Sequence, residues 1–482
     1  MKLKTLALLV ISFIFTLINY SENTWNLFYS LGGLALAKVG PEVLGIIFFC
    51  YFAFFFWKKE KIKKGLSDRK DWTLIFFLFL ITFLTRIPQF KTDFFRDDVY
   101  FWLIRSGEAG YSVYTWGPWL SSHPGWAWEL SRLIGGSSPF TYQIATILSH
   151  FLFVVGVYFL AKYLSRDKYI GLASAVFFSI TTIHFEAFEW LSHVTNFGWQ
   201  GLLMTLALLA LVWQLDENKG LKTPYISTFL MMSAFGSGLA RTGAIPIVIF
   251  SIDTIYSFKF FGFKKIKEWL ASIVKRQGLT FSLVFTFLAT RNLLSEPSTR
   301  IEEVKAPLSQ SFLWLFGVFS FPPEFINLFG FISNYWLGTI MIVFSFLVLM
   351  GFLFVLIRRK YLPLSIWVGL VWTLSFALYY TFWGPHVPVT KEALQIRIGP
   401  HHLAYPSAVG VSLIVGYLLI RFGKRAFDTL SRKIPRKMSL LVIVLCALLL
   451  MAYDIFNLYN LYDNFVENCL RQKNYILEIC KP

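Results

Sequence analysis

The chain has 482 residues, of which 56% are hydrophobic, 19% aromatic and 15% charged, with a mean hydropathy of +0.59. A soluble domain is about 45–50% apolar and about 25% charged, so this balance excludes a soluble globule, a disordered chain, a coiled coil and a disulfide scaffold and leaves a polytopic membrane protein. The net charge of +18 points to nucleic acid in a soluble protein, but in a membrane protein it reports topology and has to be sorted by side.

A membrane helix needs about 20 mostly apolar residues. In chain order the sequence predicts thirteen spans, at 5–20, 42–57, 72–88, 140–162, 169–185, 195–214, 225–240, 242–258, 277–294, 332–357, 362–383, 403–421 and 438–456. The stretch around Gly236–Pro246 reads either as two helices or as one long broken helix. The first span is flanked by Lys2 and Lys4 but lacks a small-residue cleavage site, so it reads as a helix rather than a signal peptide.

One orientation places the loops 58–71, 162–168, 215–224, 259–276, 358–361 and 421–437 in the cytoplasm. Together with Lys2 and Lys4 they hold 30 of the 45 basic residues. The positive-inside rule then sets the N-terminus inside and the C-terminus outside. Segment 259–276 reads either as a basic amphipathic helix on the inner leaflet or as a solvated loop. The connections at about 89–139, 186–194, 291–331 and 384–402 and the tail 457–482 fall outside, which makes the outer face the working face.

The first long outer loop carries Asp97 and Asp98 directly after the third span, beside Arg96 and Tyr100. Aromatic and aliphatic residues at 100–104 and 126–133 mark two short amphipathic helices at the interface. An isolated Asp there reads equally as a helix N-cap. Two adjacent carboxylates repel, raise one another's pKa and favour a site. A carboxylate in this place suits a general base acting on a hydroxyl. His123 lies further along the same loop. A second polar group is His184, Glu186, Glu189 and His193, with i,i+3 and i,i+4 spacings that place side chains on one helix face. It matches no zinc signature such as HExxH. Its plain alternative is the polar end of a helix.

Cationic candidates on the outer side are Arg241, Arg291, Arg300, Lys305, His386, Lys391, Arg397, His401 and His402. Arg241 stands at the turn between two spans, where a cation is costly and marks a site or snorkels. Arginine forks suit phosphate. Cys50 and Cys446 lie in spans, whereas Cys469 and Cys480 lie in the outer tail, where a disulfide is chemically allowed.

The run "FFRDDVYFWL", followed by "SHPGWAWELSRLIGGSSPFTYQIATILSHFLFVVGVYFLAKYLSRDKYIGLASAVFFSI", resembles the GT-C integral-membrane glycosyltransferases, in the protein O-mannosyltransferase-like branch. The likeness rests on the acidic pair, a proline-containing re-entry segment with a "Y…LSH" helix bearing His150, and a basic turn. Much later, "HHLAYPSAVG" is similar to the "R-Y-L-Y-P-S" start of a late helix. It covers roughly 72–260, and 395–420 more weakly. It implies a GT-C-like fold, which with the spans read above gives an all-α bundle of about 13 transmembrane helices, two of them before the usual first family helix, with amphipathic helices in the first outer loop. It also implies a polyprenyl- or dolichyl-phosphate sugar donor and an inverting transfer, with Asp97 or Asp98 as base.

Under that resemblance Arg241, Arg291, Arg397, His401 and His402 bind the donor phosphate. Arg96, Tyr100, His123, Glu186, Glu189 and His193 contact acceptor or sugar. A divalent ion on Asp97, Asp98 and Glu189 stays open. The chain departs from its relatives where they often carry Lys-Glu, here Arg241-Thr242, and where they carry Arg before the late "L-Y-P-S", here His401-His402. No tetratricopeptide tail follows.

The expected organisation is two additional N-terminal helices and a basic loop in 1–71, a catalytic module in 72–260, further helices in 261–456 and a short outer tail in 457–482. The expected partners are the bilayer, the lipid-linked donor and a hydroxyl-bearing acceptor in protein, glycan or lipid, with no nucleic acid. The expected place is the cell membrane, with the active site on its extracytoplasmic face. The rival reading is a flippase or transporter of a lipid-linked or polyanionic glycan. It calls for internal repeats and polar helices at the midplane, and the sequence shows no convincing repeat.

Overall fold

The computed structural model describes residues 69–92, 131, 134–135, 138–181, 191–218, 222, 224–236, 243–261, 265–294, 363–382 and 404–479. All regular structure among them is helical. The helices are α1 (Arg69–Thr85), followed by a 3-10 turn (Ile87–Lys91), α2 (Pro139–Ser165), α3 (Lys168–Ile180), α4 (Leu191–Asn218) and α5 (Tyr225–Gly236). There follow α6 (Ile245–Phe261), α7 (Ile266–Leu294), α8 (Leu364–Phe382), α9 (Ala404–Leu430) and α10 (Arg436–Ile479). The expected spans 5–20, 42–57 and 332–357 and the amphipathic helices of the first outer loop lie outside the described residues.

Among the described residues four helices are long and apolar enough to cross a membrane: Pro139–Ser165, Gly198–Glu217, Tyr405–Leu430 and Arg436–Asn460. Shorter apolar helices accompany them. The way they bury their residues is compatible with lipid. In α1, Trp72, Phe76, Phe77, Leu80, Phe83 and Leu84 are exposed, while Asp71, Thr82, Thr85 and Arg86 are buried. A soluble helix does the reverse. In hydrocarbon, polar groups must find partners inside the protein.

The described helices fall into two compact units. One contains α4 from Thr195 onward, α5, α6 and α7. The other contains α1, most of α2, α3, α8, α9 and α10.

In the first unit α5 and α6 pack against each other and against α7. The stretch around Gly236–Pro246 therefore separates two packed helices. Thr228 on α5 shares a hydrogen bond with Thr280 on α7 at 3.0 Å. Asp253 on α6 accepts from Arg276 Nε at 3.1 Å and Nη2 at 2.7 Å, and from Gln277. Both members of this ion pair are essentially unexposed. Residues 266–276, expected as a separate surface helix or loop, form the first turns of α7. Ile273, Arg276 and Gln277 are buried there, whereas Ile266, Leu270 and Val274 are exposed. The segment is helical as the amphipathic reading expects, but it continues the following span, because its buried Arg276 is held by Asp253.

In the second unit α2 and α3 form a tight hairpin. Arg166 takes a left-handed conformation with φ 55°. Asp167 then caps α3, accepting from Tyr169 N–H at 2.9 Å, as an N-cap carboxylate does. Two close helix approaches hold α9. A Cβ on Gly369 of α8 would stand 2.6 Å from the Gly410 carbonyl oxygen, and one on Gly416 would stand 2.7 Å from Ser174 Cα on α3. Small residues let helix backbones meet in this way. Two ion pairs lie at one end. Asp71 accepts from Tyr158 and from Lys162, both at 2.6 Å. Lys424 reaches Asp167 at 3.1 Å.

Two expected loops are shorter than the sequence suggests. The cytoplasmic loop 421–437 is mostly the end of α9 and the start of α10, leaving only 431–435 between them. The outer tail continues α10 as helix to Ile479. Helical hydrogen bonding does not stop where hydropathy falls, so a polar helix extends past an apolar span.

Candidate functional site

Three chain segments that carry candidate groups leave from one end of the second unit. The turn after α1 ends at Thr92, five residues before Asp97. Helix α3 ends at Ile180, with Thr181 as its C-cap, three residues before His184. Helix α9 begins at Ala404, two residues after His402.

These ends are joined by polar and aromatic contacts. Arg86 Nη2 donates to the Ser179 carbonyl at 3.2 Å. Thr82 and Ser179 hydroxyls share a hydrogen bond at 3.0 Å. The Phe178 and Tyr405 rings stack with centroids 5.6 Å apart and an interplanar angle of 6°. Tyr459 on α10 donates to the Leu84 carbonyl at 2.7 Å. The carbonyls at the C-terminal ends of α1 and α3 have no partner within their own helices, so donors from neighbouring elements satisfy them.

The start of α9 is gripped from two sides. His150 Nδ1 on α2 and the Tyr405 hydroxyl form a hydrogen bond, with the Phe153 and Phe178 rings packed against Tyr405. On the other side Trp372 Nε1 donates to the Pro406 carbonyl at 2.7 Å. His150 and Tyr405 are wholly buried. They belong to the two stretches that carry the family resemblance, and 255 residues separate them.

At the opposite end of the unit Asp167 lies between α2 and α3, outside the spans. Burial pushes its carboxyl up, but the Lys424 ammonium and the Tyr169 and Ile170 backbone N–H groups outweigh this. They hold it below the usual carboxylate range.

The sequence-derived candidates themselves are placed as follows. Asp97, Asp98, Arg96, Tyr100, His123, Glu186, Glu189, Arg241, Arg397, His401 and His402 lie outside the described residues. His193 is in the first turn of α4 and Arg291 in the last turn of α7, with side chains outside the described set. The disulfide that is chemically allowed between Cys469 and Cys480 also falls outside it. Among the described residues no group of three His, Cys, Asp or Glu side chains is placed to hold a metal ion.

Among the buried polar residues that sequence reasoning passed over are Arg86 and Gln89, just after α1, and Asp253 and Arg276 in the first unit. The signal was present for Asp253, a carboxylate inside an apolar run. For Arg86 and Gln89 it was weaker, because span ends are commonly polar.

Comparison with protein-family models, with curated proteins and with solved structures matches none of them.

Proposed function

We propose that the chain is a membrane glycosyltransferase that moves a sugar from a polyprenyl-phosphate donor to a hydroxyl acceptor on the extracytoplasmic face. The observation that supports this reading is the meeting of α1, α3 and α9 at one end of the second unit. The segments bearing the acidic pair, the Glu186–Glu189 group and the His401–His402 pair all start or finish there. A base, acceptor-binding groups and phosphate-binding groups then leave from one platform.

The chemistry is a single displacement. Asp97 or Asp98 takes the proton of the acceptor hydroxyl. The acceptor oxygen bonds to sugar C1 from the side opposite the phosphate. The C1–O bond to phosphate breaks, its electron pair leaves with the lipid phosphate, and configuration at C1 inverts. Arg241, Arg291, Arg397, His401 and His402 are the groups proposed to stabilise the charge growing on the leaving phosphate. A divalent ion on Asp97, Asp98 and Glu189 would supply the same stabilisation.

The test is sugar transfer in membranes with a panel of radiolabelled polyprenyl-phosphate sugars. Wild-type protein transfers one of them. Asp97→Asn and Asp98→Asn proteins, present at wild-type level, lose about 100-fold or more for the residue that is the base. Full transfer by both variants sinks the base assignment. No transfer from any donor, together with movement of lipid-linked glycan across liposomes, favours the flippase. The Asp253–Arg276 pair inside α6 and α7 is the feature that suits this second reading, since intramembrane charges mark transport paths.

A further inference from the structure

Helix α9 leaves the candidate-site end at Ala404 and runs 27 residues to Leu430, about 40 Å. The hairpin it makes with α10 therefore stands at the opposite end of the second unit. Residues 421–437 carry seven basic side chains and one acid, Asp428. All eight are exposed. Lys424 bridges to Asp167 at 3.1 Å. Arg421 Nε donates to the Tyr417 hydroxyl at 3.1 Å, with its guanidinium over the same ring. The others, Arg425, Arg432, Lys433, Arg436 and Lys437, make no ion pair among the described residues.

These cations help to set the expected orientation of the chain, a role that needs only their number near a span end. The structure adds an arrangement that orientation does not require. On α9, Leu418, Phe422 and Arg425 stand at i, i+4 and i+7 and are exposed. On α10, Lys437, Leu441 and Leu445 are spaced four apart and are exposed as well. Residues so spaced share one helix face. Each helix thus bears a strip that is apolar along the span and cationic where the hairpin begins. Phe422 is 60% and Leu441 57% exposed, so both strips are open to a partner.

The two strips narrow the chemistry of that partner. A soluble polyanion meets the cations but leaves the apolar residues in water. A zwitterionic lipid covers the apolar residues but brings no net charge to the cations. A phospholipid with an anionic headgroup does both, since its phosphate accepts from guanidinium groups and its chains lie along the span. Clusters of this size beside a membrane helix attract anionic headgroups.

We propose that the α9–α10 hairpin is a binding surface for anionic phospholipid. Arg425, Arg432, Lys433, Arg436 and Lys437 meet the headgroup, and Phe422 and Leu441 lie against the acyl chains. The surface is separate from the glycosyltransferase reading and requires only that the chain lies in a bilayer.

The experiment titrates the full chain in detergent with dioleoyl phosphatidylglycerol, dioleoyl phosphatidylcholine and glycerol phosphate, at low and high salt. Bound molecules are counted by native mass spectrometry. A hairpin variant carries Arg432→Gln, Lys433→Gln and Lys437→Gln. A control variant carries Lys265→Gln, Lys267→Gln and Lys275→Gln, which neutralise exposed lysines at the start of α7, in the other basic stretch expected on the same side. Wild type should bind phosphatidylglycerol about tenfold or more tightly than phosphatidylcholine, with the preference shrinking in salt. The hairpin variant should lose about tenfold or more in phosphatidylglycerol affinity, and the control variant should match wild type.

Equal binding of the two lipids by wild type overturns the proposal. Equal losses in the hairpin and control variants do so too, because general surface charge then accounts for the binding. Glycerol phosphate bound as tightly as phosphatidylglycerol shows a site for a free anion and removes the lipid. Should the hairpin variant fail to give a monodisperse protein, Lys433→Gln and Lys437→Gln are read singly. Each should lose about fivefold, and no loss in either sinks the assignment.

Discussion

The two units hold their helices together by different means. In the first, α6 and α7 are joined by a charge pair sealed from solvent, Asp253 with Arg276, supported by Gln277. In the second, the middle of the helices meets through glycines and stacked rings, and the ion pairs Asp71–Lys162 and Asp167–Lys424 lie at one end. Lys162 and Lys424 stay partly exposed in their pairs with Asp71 and Asp167. A sealed pair is strongly directional but has to offset the loss of hydration of both ions. Glycine contacts carry no such cost, and their energy comes from close packing alone. The first unit should therefore be sensitive to charge deletion, and the second to added volume.

The largest expected effect tests that contrast directly. Asp253→Ala or Arg276→Ala leaves one buried charge alone and should destabilise by about 3–5 kcal/mol, read from denaturant unfolding in detergent. The double variant Asp253→Leu with Arg276→Met should recover most of that loss. A double variant as unstable as the singles contradicts the account. Next comes Gly410→Leu in the second unit. It drives a side chain into Gly369 and Thr373 of α8 and should cost about 1–3 kcal/mol or more. The Gly278→Leu control, whose Cβ meets nothing within 4 Å, should stay near wild type apart from helix propensity.

Tyr405→Phe is smaller again. It keeps the ring stack and removes the hydroxyl bonded to His150, at about 1–2 kcal/mol. A loss of sugar transfer larger than this stability change indicates that the grip on the start of α9 positions the segment before it.

The smallest effect belongs to Asp167. Its folded pKa is lowered, so its contribution is complete above the ordinary carboxylate value near about 4. That contribution is lost as pH falls through the folded value. Asp167→Ala should cost about 1 kcal/mol at neutral pH as a lost N-cap. The difference between variant and wild type should shrink in acid, and the Lys424 share should shrink in salt. A pH-independent difference rules out the ionised cap.

Hydropathy located the described helices well. Each of α1 to α10 overlaps a span expected from its apolar run. It failed at three ends: α7 starts at Ile266 rather than 277, α9 runs to Leu430 rather than 421, and α10 to Ile479 rather than 456. Apolar content reports where hydrocarbon lies, whereas a helix ends where its backbone bonding ends. Of the candidate site, the acidic pair and the outer basic groups were read from residue type and order alone, and they lie outside the described residues. The Asp253–Arg276 pair and the His150–Tyr405 bond were not legible, because each joins residues with no shared local pattern. His150 and Tyr405 were noticed as pieces of separate motifs, with nothing in either to say that they touch.

By itself the sequence determined the fold class. A composition that is 56% hydrophobic and 15% charged is compatible with a lipid surrounding, in which apolar runs become helices because backbone groups must bond within their own segment. Only the tertiary structure decided which polar residues face one another. Helices α1, α2, α5 and α6 are apolar all round, so no stripe of hydrophobic residues points to their partners. Facing is set by where a glycine admits a neighbour or a buried carboxylate meets its cation. In this chain the ends of α1 and α3 and the start of α9 come together through the bonds of Arg86 and Thr82 to Ser179 and the stack of Phe178 on Tyr405.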